Sequence, residues 1–423
     1  MPAETIHLKG GRIVCPATGT DAVGDLWISG GRIIAPAEAG DSVTVVDCAG
    51  KVIAPGFTDL GAELCDPGKT WREDVASGSE AGAAGGFTTI VASPRTDPVI
   101  DTPVAVSEAL GRCMAVSGAR VELAGALTHG LDGTHMSELG LMVEAGAVAL
   151  SDGRKPMMNA ALLRRSLDYA RPFGVPVMLR PGDTDLEGAG VMHEGEVSTQ
   201  IGLRGIPAAA EEIGVAKSIA LARLTGAKVY LSQVTTSGSV DLLRAAKASG
   251  LSVSASVPAR HLILTDRDVD HSVYNPSTKV LPPLRSGADR DAVRAGVADG
   301  TIDCISADHV PMTSLEKELE YMHAKPGAMG LETAFSAALT ALGDIWAVVV
   351  AMAVNPAAVI GREARLSEGS VADVVVLDVD AQRTVSGPYR SKGLNEPLEG
   401  AVLSGQVVAT IRDGCIIYGP QTG

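Results

Sequence analysis

Residues able to do chemistry gather first in positions 52–68, VIAPGFTDLGAELCDPG. The stretch opens with an apolar run, breaks at Pro55-Gly56, and continues as a second strand-like piece ending at Asp66-Pro67-Gly68. Side chains alternate faces along a strand, so positions 61, 63 and 65 share one face. A pair of histidines spaced this way would offer a metal two nitrogen ligands. Here the positions hold Gly61, Glu63 and Cys65. Glycine offers no ligand. A carboxylate at 63 can bind a cation or pair with an arginine, and pairing is the expectation. Cys65 could be a nucleophile, but a reactive thiol needs a neighbouring base or cation. No His or Lys stands within the motif, so a packed thiol is expected. His129, His135 and His193 lack metal-ligand spacing and read as scattered polar residues. Cys15, Cys48, Cys65, Cys113, Cys304 and Cys415 form no C-x-x-C pair. In a chain this long they read as reduced core residues of a cytoplasmic protein.

These side chains need a frame. The 423 residues are 46% hydrophobic and only 3% aromatic, so Val, Ile, Leu and Ala must build the core. A net charge of −15 argues against a nucleic-acid surface. No apolar run is long enough for a membrane span, and MPAETIH does not read as a signal peptide. Short strand-like segments separated by Gly-rich turns occupy residues 1–54 and return over 366–423. Gly10-Gly11, Gly30-Gly31 and Asp413-Gly414 fit two-residue hairpin turns. Between them, over 55–365, eight strand candidates alternate with Ala-rich helical segments: 58–60, 88–92, 121–126, 147–151, 175–180, 228–234, 252–256 and 302–307. The expected fold is an α/β (β/α)8 barrel inserted into a small β-sandwich made from both termini. Such barrels carry their chemistry at the C-terminal ends of the strands.

Further motifs follow in order: AGAAGGFTT at 81–89, HEGEVS at 193–198, GLRGIP at 202–207, KVLPPLR at 279–285, DGTID at 299–303, ADHVP at 307–311 and GLETA at 330–334. Together with 52–68 they resemble the dihydroorotase family of the amidohydrolase superfamily over nearly the whole chain. The resemblance implies a zinc site at six positions. Histidines are replaced at Gly61, Glu63, Arg180 and Gln233, whereas the carboxylates Asp152 and Asp308 remain. Asp308 stands where the family keeps a metal-ligating general base. Four substrate positions differ as well. Cys65 stands at an arginine, Arg95 and Leu281 at asparagines, and Met312 at a histidine. His309 belongs to the motif but not to the ligands, and the acidic run 316–320 reads as a solvated face. The stretches 183–207 and 311–328 are long enough to be mobile without a ligand.

Zinc makes a nucleophile by lowering the pKa of its water to about 7, and it wants three or four N, S or O ligands. A fixed guanidinium at 180 would repel it. The expected protein is therefore a catalytically inactive dihydroorotase-like subunit without metal or cofactor. The resemblance to pseudo-dihydroorotases implies a partner, the catalytic subunit of aspartate transcarbamoylase in pyrimidine biosynthesis, within a homo- or hetero-oligomer. An alternative is an active cyclic amidohydrolase, of dihydroorotase or dihydropyrimidinase type, using Glu63, Asp152 and Asp308 around an oxygen-preferring cation. A third reading is a sensor of an anionic metabolite at Arg95 and Arg180. Without metal, Asp152 and Asp308 are expected to converge. Arg180 would turn inward to pair with them or with Glu63, and Arg95 would cover the outside.

Overall fold

The computed structural model describes residues 5–39, 43–269 and 274–420. Eight short parallel strands follow one another around a nearly closed barrel. They are Phe57–Ala62, Phe87–Ala92, Arg120–Gly125, Ala149–Ser151, Val177–Leu179, Val229–Leu231, Val253–Pro258 and Cys304–Ser306. Each coincides with an expected strand. Their apolar runs suit strands covered on both faces. Leu60, Val91, Ala124, Ala149, Met178, Tyr230 and Cys304 form a buried cluster drawn from seven of the strands. The ring is drawn together between its first and last members by Asp59, whose Oδ1 accepts from Ala307 N at 2.7 Å, and by Glu63 N, which donates to His309 O at 2.9 Å.

The helices between strands are punctuated as their sequences demand. Val75–Ala84 starts at Asp74, whose side chain accepts from Ser77 N at 2.8 Å. Pro103–Cys113 is capped by Thr102 with Pro at its first position, and Asn159 and Thr236 cap Ala160–Ala170 and Ser237–Ala248. Ala208–Thr225 ends at Gly226 in the left-handed conformation. Gly287–Ala298 and Ala334–Leu342 are helices that the sequence reading did not single out. The two stretches expected to be mobile carry elements of their own. Thr184–Glu187 and Glu196–Ile201 are helical, Met192–His193 pairs with Gly205–Ile206, and Ser314–Lys317 forms a helical turn.

Both termini build the second sheet, forming the expected sandwich. Val52–Pro55 bridges the halves, pairing with Thr5–Cys15 on one side and Val374–Thr384 on the other, with Ile53 opposite Val376. Ile6, Leu8, Ile28, Ile53, Val374, Val376 and Ile411 fill its core. Gly30-Gly31 and Asp413-Gly414 are hairpin turns, as expected, each with positive φ at both residues. Gly10-Gly11 is not. Thr5–Cys15 runs through it as one strand with a bulge, where Leu8 opposes Leu26 and Gly11 opposes Gly24. Gly10 supplies the positive φ, and Gly11 lies so close to Ile53 that a Cβ would be 2.6 Å from its Cδ1. All six cysteines are free, five of them buried. Among the described residues no helix is long and apolar enough to cross a membrane.

Candidate functional site

The strand ends converge on Asp308, two residues past the last barrel strand and 4% exposed. Its carboxylate is fully engaged. Arg154 Nη1 donates to Oδ1 at 2.6 Å, Arg260 Nη1 donates to Oδ2, and Gln233 Nε2 donates to Oδ1. Arg260 also spans four carbonyls through Nη2: Asp308 at 2.8 Å, Met329 at 2.9 Å, Ala307 at 3.0 Å and Ala328 at 3.4 Å. Both guanidiniums are withdrawn from water, with side-chain exposures of 9% for Arg154 and 3% for Arg260. Charge-assisted bonds of this kind are the strong ones, and low-dielectric surroundings strengthen them further. Asp308 and Gln233 both hold positive φ, at 45° and 62°. Asp tolerates this conformation better than most residues, but Gln rarely adopts it, and the Gln233–Asp308 bond joins the two.

Asp152 does not join Asp308. It is 2% exposed and turns onto the loop after the third strand, where Oδ1 accepts from Thr128 N at 2.9 Å and Oδ2 from Thr128 Oγ1 at 2.6 Å. Burial raises its pKa against these bonds. Arg180 departs from expectation too. Its Nη2 lies 2.8 Å from both oxygens of Glu187, and its Nε donates to Arg154 O at 2.6 Å. The physical reason is local: Thr184–Glu187 brings a carboxylate seven residues away, nearer than anything across the barrel. Arg180 thus fixes the backbone of the arginine that reaches Asp308. Arg154 and Arg260 take the role expected of Arg180.

The remaining positions form an outer layer. Glu63 pairs with Arg95 at 3.1 Å, and the Arg95 side chain is 50% exposed. Gly61 has φ 128° and open space where a Cβ would stand. Cys65 is buried. Its thiol is pushed up to about 12 by burial and then by the Glu63 charge, so it is no nucleophile. In an alkylation experiment at pH 8, exposed Cys415 should react and Cys65 should not; Cys65 labelling first by mass spectrometry would contradict its burial. Leu281 is half-buried beside Pro282, whose carbonyl meets His261 Nε2 at 3.2 Å. Met312 is buried, its N–H bonded to Asn395 Oδ1 at 3.0 Å. His309 pairs with buried Glu73 at 3.1 Å, and His193 lies 3.3 Å from Arg285 Nη1. His129 and His135 pair with Asp101 and Asp132. Glu316 is not a freely solvated charge, because it forms a two-bonded ion pair with Arg72.

A C-terminal segment straps the back of the site. Asn395 Nδ2 donates to Val310 O at 3.0 Å, and Glu396 accepts from Thr333 Oγ1 and Leu398 N, both at 3.0 Å. Burial raises the Glu396 pKa to about 7. A raised carboxyl pKa means that the folded chain holds more protons than the unfolded one between about 4.5 and 7. Stability therefore falls across that window, and the penalty persists above it. Glu396→Gln is expected to stabilise by about 1–3 kcal/mol at pH 8 and hardly at all at pH 4.5. Urea unfolding at both pH values checks it, and equal effects at both would contradict the shift.

The donor set does not fit a zinc ion. Both Asp308 oxygens are held by guanidiniums, Asp152 faces away, Gly61 offers nothing, and Arg180 and Gln233 present N–H donors. Among the described residues no group of three or more His, Cys, Asp or Glu side chains is placed to hold a metal.

An eight-stranded parallel barrel with its polar centre at the strand ends, joined to a sandwich from both termini, is the amidohydrolase architecture. L-hydantoinase (dihydropyrimidinase) from Arthrobacter aurescens has the same fold, with a TM-score of 0.86 at 22% identity over 99% of this chain and 96% of that one. The dihydropyrimidinase from Brevibacillus agri matches at 0.82 and 20% identity, over 98% of this chain and 95% of its own. A dihydro-orotase-like family model matches residues 50–239. The chain is 42% identical to a dihydroorotase of Anaeromyxobacter sp. (strain K), covering 98% of both, and 43% identical to one of Pelotomaculum thermopropionicum, covering 97% of both. The chain belongs to the dihydroorotase family.

Proposed function

We propose that the protein is a non-catalytic dihydroorotase-like subunit that assembles with aspartate transcarbamoylase and supports it in pyrimidine biosynthesis. The observation that carries this reading is the state of Asp308. The residue at the family's metal-ligating base position is neutralised by Arg154 and Arg260 and bonded by Gln233. A carboxylate whose two oxygens are both taken by guanidiniums is a poor metal ligand. The family's barrel and closing motifs are kept around it, which favours use of the fold as a surface. The partner comes from the resemblance to pseudo-dihydroorotases. Co-purification with the organism's transcarbamoylase tests it, with each subunit and the mixture assayed. A transcarbamoylase more active or more stable in the mixture is expected; two proteins that never associate would defeat the reading.

The names of the relatives favour a second reading. Proteins about 42% identical over their whole length are called dihydroorotase. For this chain to hydrolyse a cyclic amide, Asp308 would have to leave both arginines and gain ligands that the strand ends do not present.

A further inference from the structure

We propose that the outer edge of the barrel formed by the C-terminal ends of Ala160–Ala170 and Ala208–Thr225 is a docking surface for an acidic face of a partner protein. The proposal rests on the reading that this subunit works by assembly, and it names the surface.

The two helices pack side by side. They lead into Val177–Leu179 and Val229–Leu231, adjacent strands with Val177 opposite Val229. Their C-termini therefore lie where the strands begin, at the end of the barrel away from Asp308. Two large apolar side chains stand in water there: Tyr169 is 48% exposed and Leu224 is 60% exposed. Tyr169 rests against Phe173 with ring centroids 5.8 Å apart, which holds it in place.

Cations outnumber acids along the same helix ends. Residues 160–178 carry Arg164, Arg165 and Arg171 against one acid, Asp168, which pairs with Arg164 at 3.6 Å. Residues 218–231 carry Arg223 and Lys228 and no acid at all. The neighbouring helix Leu139–Glu144 brings one acid, Glu144, to the same end. Arg223 bonds Ser249 Oγ at 3.3 Å and Lys228 bonds Gly174 O at 2.9 Å, so neither meets a carboxylate. Among the described residues Arg165 and Arg171 form no ion pair. In a chain of net charge −15 these helix ends are locally basic and expose an aromatic and a leucine. Interfaces favour such a composition: apolar and aromatic anchors ringed by arginine and polar groups. Two copies meeting symmetrically through this face would set like charges against each other. An acidic partner surface removes that repulsion, and the strongly acidic remainder of the chain disfavours nucleic acid.

Sedimentation velocity of the full-length protein mixed with the catalytic subunit of the organism's transcarbamoylase tests this. Wild type should form a complex that weakens about tenfold or more between low and high salt. Arg171→Glu/Arg223→Glu and, separately, Tyr169→Ala/Leu224→Ala should each weaken it at least tenfold with an unchanged melting temperature, whereas Arg171→Lys/Arg223→Lys should retain it. If both disruptive variants bind like wild type, the docking surface is overturned while the assembly reading stands. If wild type forms no complex, both fall. Wild-type self-association, or retention of duplex DNA, abolished by the same variants would reassign the face and overturn the acidic partner.

Discussion

Arg260→Ala is expected to destabilise the fold by about 3–5 kcal/mol, the usual consequence of stranding one partner of a buried ion pair. Asp308 is 2% exposed at its side chain and would lose the guanidinium that neutralises one of its oxygens. The carbonyls of Ala307, Asp308 and Met329 would lose a shared donor in the same step. Unsatisfied buried groups carry their full desolvation cost. Arg260→Lys should recover only part, because an ammonium cannot reproduce a planar fork that reaches Asp308 Oδ2 and the surrounding carbonyls together. Asp308→Asn in the Arg260→Ala background should recover nothing, because Arg154 still pairs with Asp308 at 2.6 Å and would itself be left as a buried, unpaired cation. Urea midpoints of these variants check the order. An alanine variant as stable as wild type would mean that water reaches Asp308 and already screens it.

The second large effect concerns metal. Placing histidine at positions 61, 63, 180 and 233 together is expected to leave zinc unbound after dialysis. The first reason is Gly61: a Cβ there meets nothing within 4 Å, but φ 128° is a backbone that L-residues rarely adopt. The second is charge. Arg154 and Arg260 stay at the centre, occupy Asp308 and repel a dication. Adding Arg154→Ser and Arg260→His to the four histidines should raise zinc retention by orders of magnitude, because the Asp308 carboxylate is freed as an oxygen ligand. Elemental analysis reads both proteins. Stoichiometric zinc in the four-histidine protein would show that the arginines are no barrier.

Most of the frame was legible because it rests on short-range patterns. Eight apolar runs spaced by Ala-rich segments specify the barrel strands, and motif order specifies the family. Gly10-Gly11 misled because a bulge and a hairpin turn need the same positive φ, and only the partner strand decides between them. The losses at positions 61, 63, 180 and 233 could be read directly, but what replaced the lost ligands could not. Arg154 stands two residues past Asp152, and Arg260 stands just past the seventh strand, at Pro258-Ala259-Arg260. Both lie at strand ends, where barrel chemistry sits, so the signal was available. Arg180 drew attention because it occupies a ligand position. Its true partner, Glu187, belongs to a four-residue helix inside a stretch that reads as loop. Side-chain pairing of that kind depends on a turn geometry that sequence spacing alone does not specify.

Asp308 is held by two guanidiniums where the family keeps a metal-ligating base. The most direct test is dihydroorotate turnover by the purified wild-type protein, followed in both directions, with its zinc content measured before and after incubation with excess zinc. No turnover above background and no retained zinc is the predicted result, both before and after loading. Turnover that appears with one equivalent of retained zinc, and disappears with chelation, would contradict it.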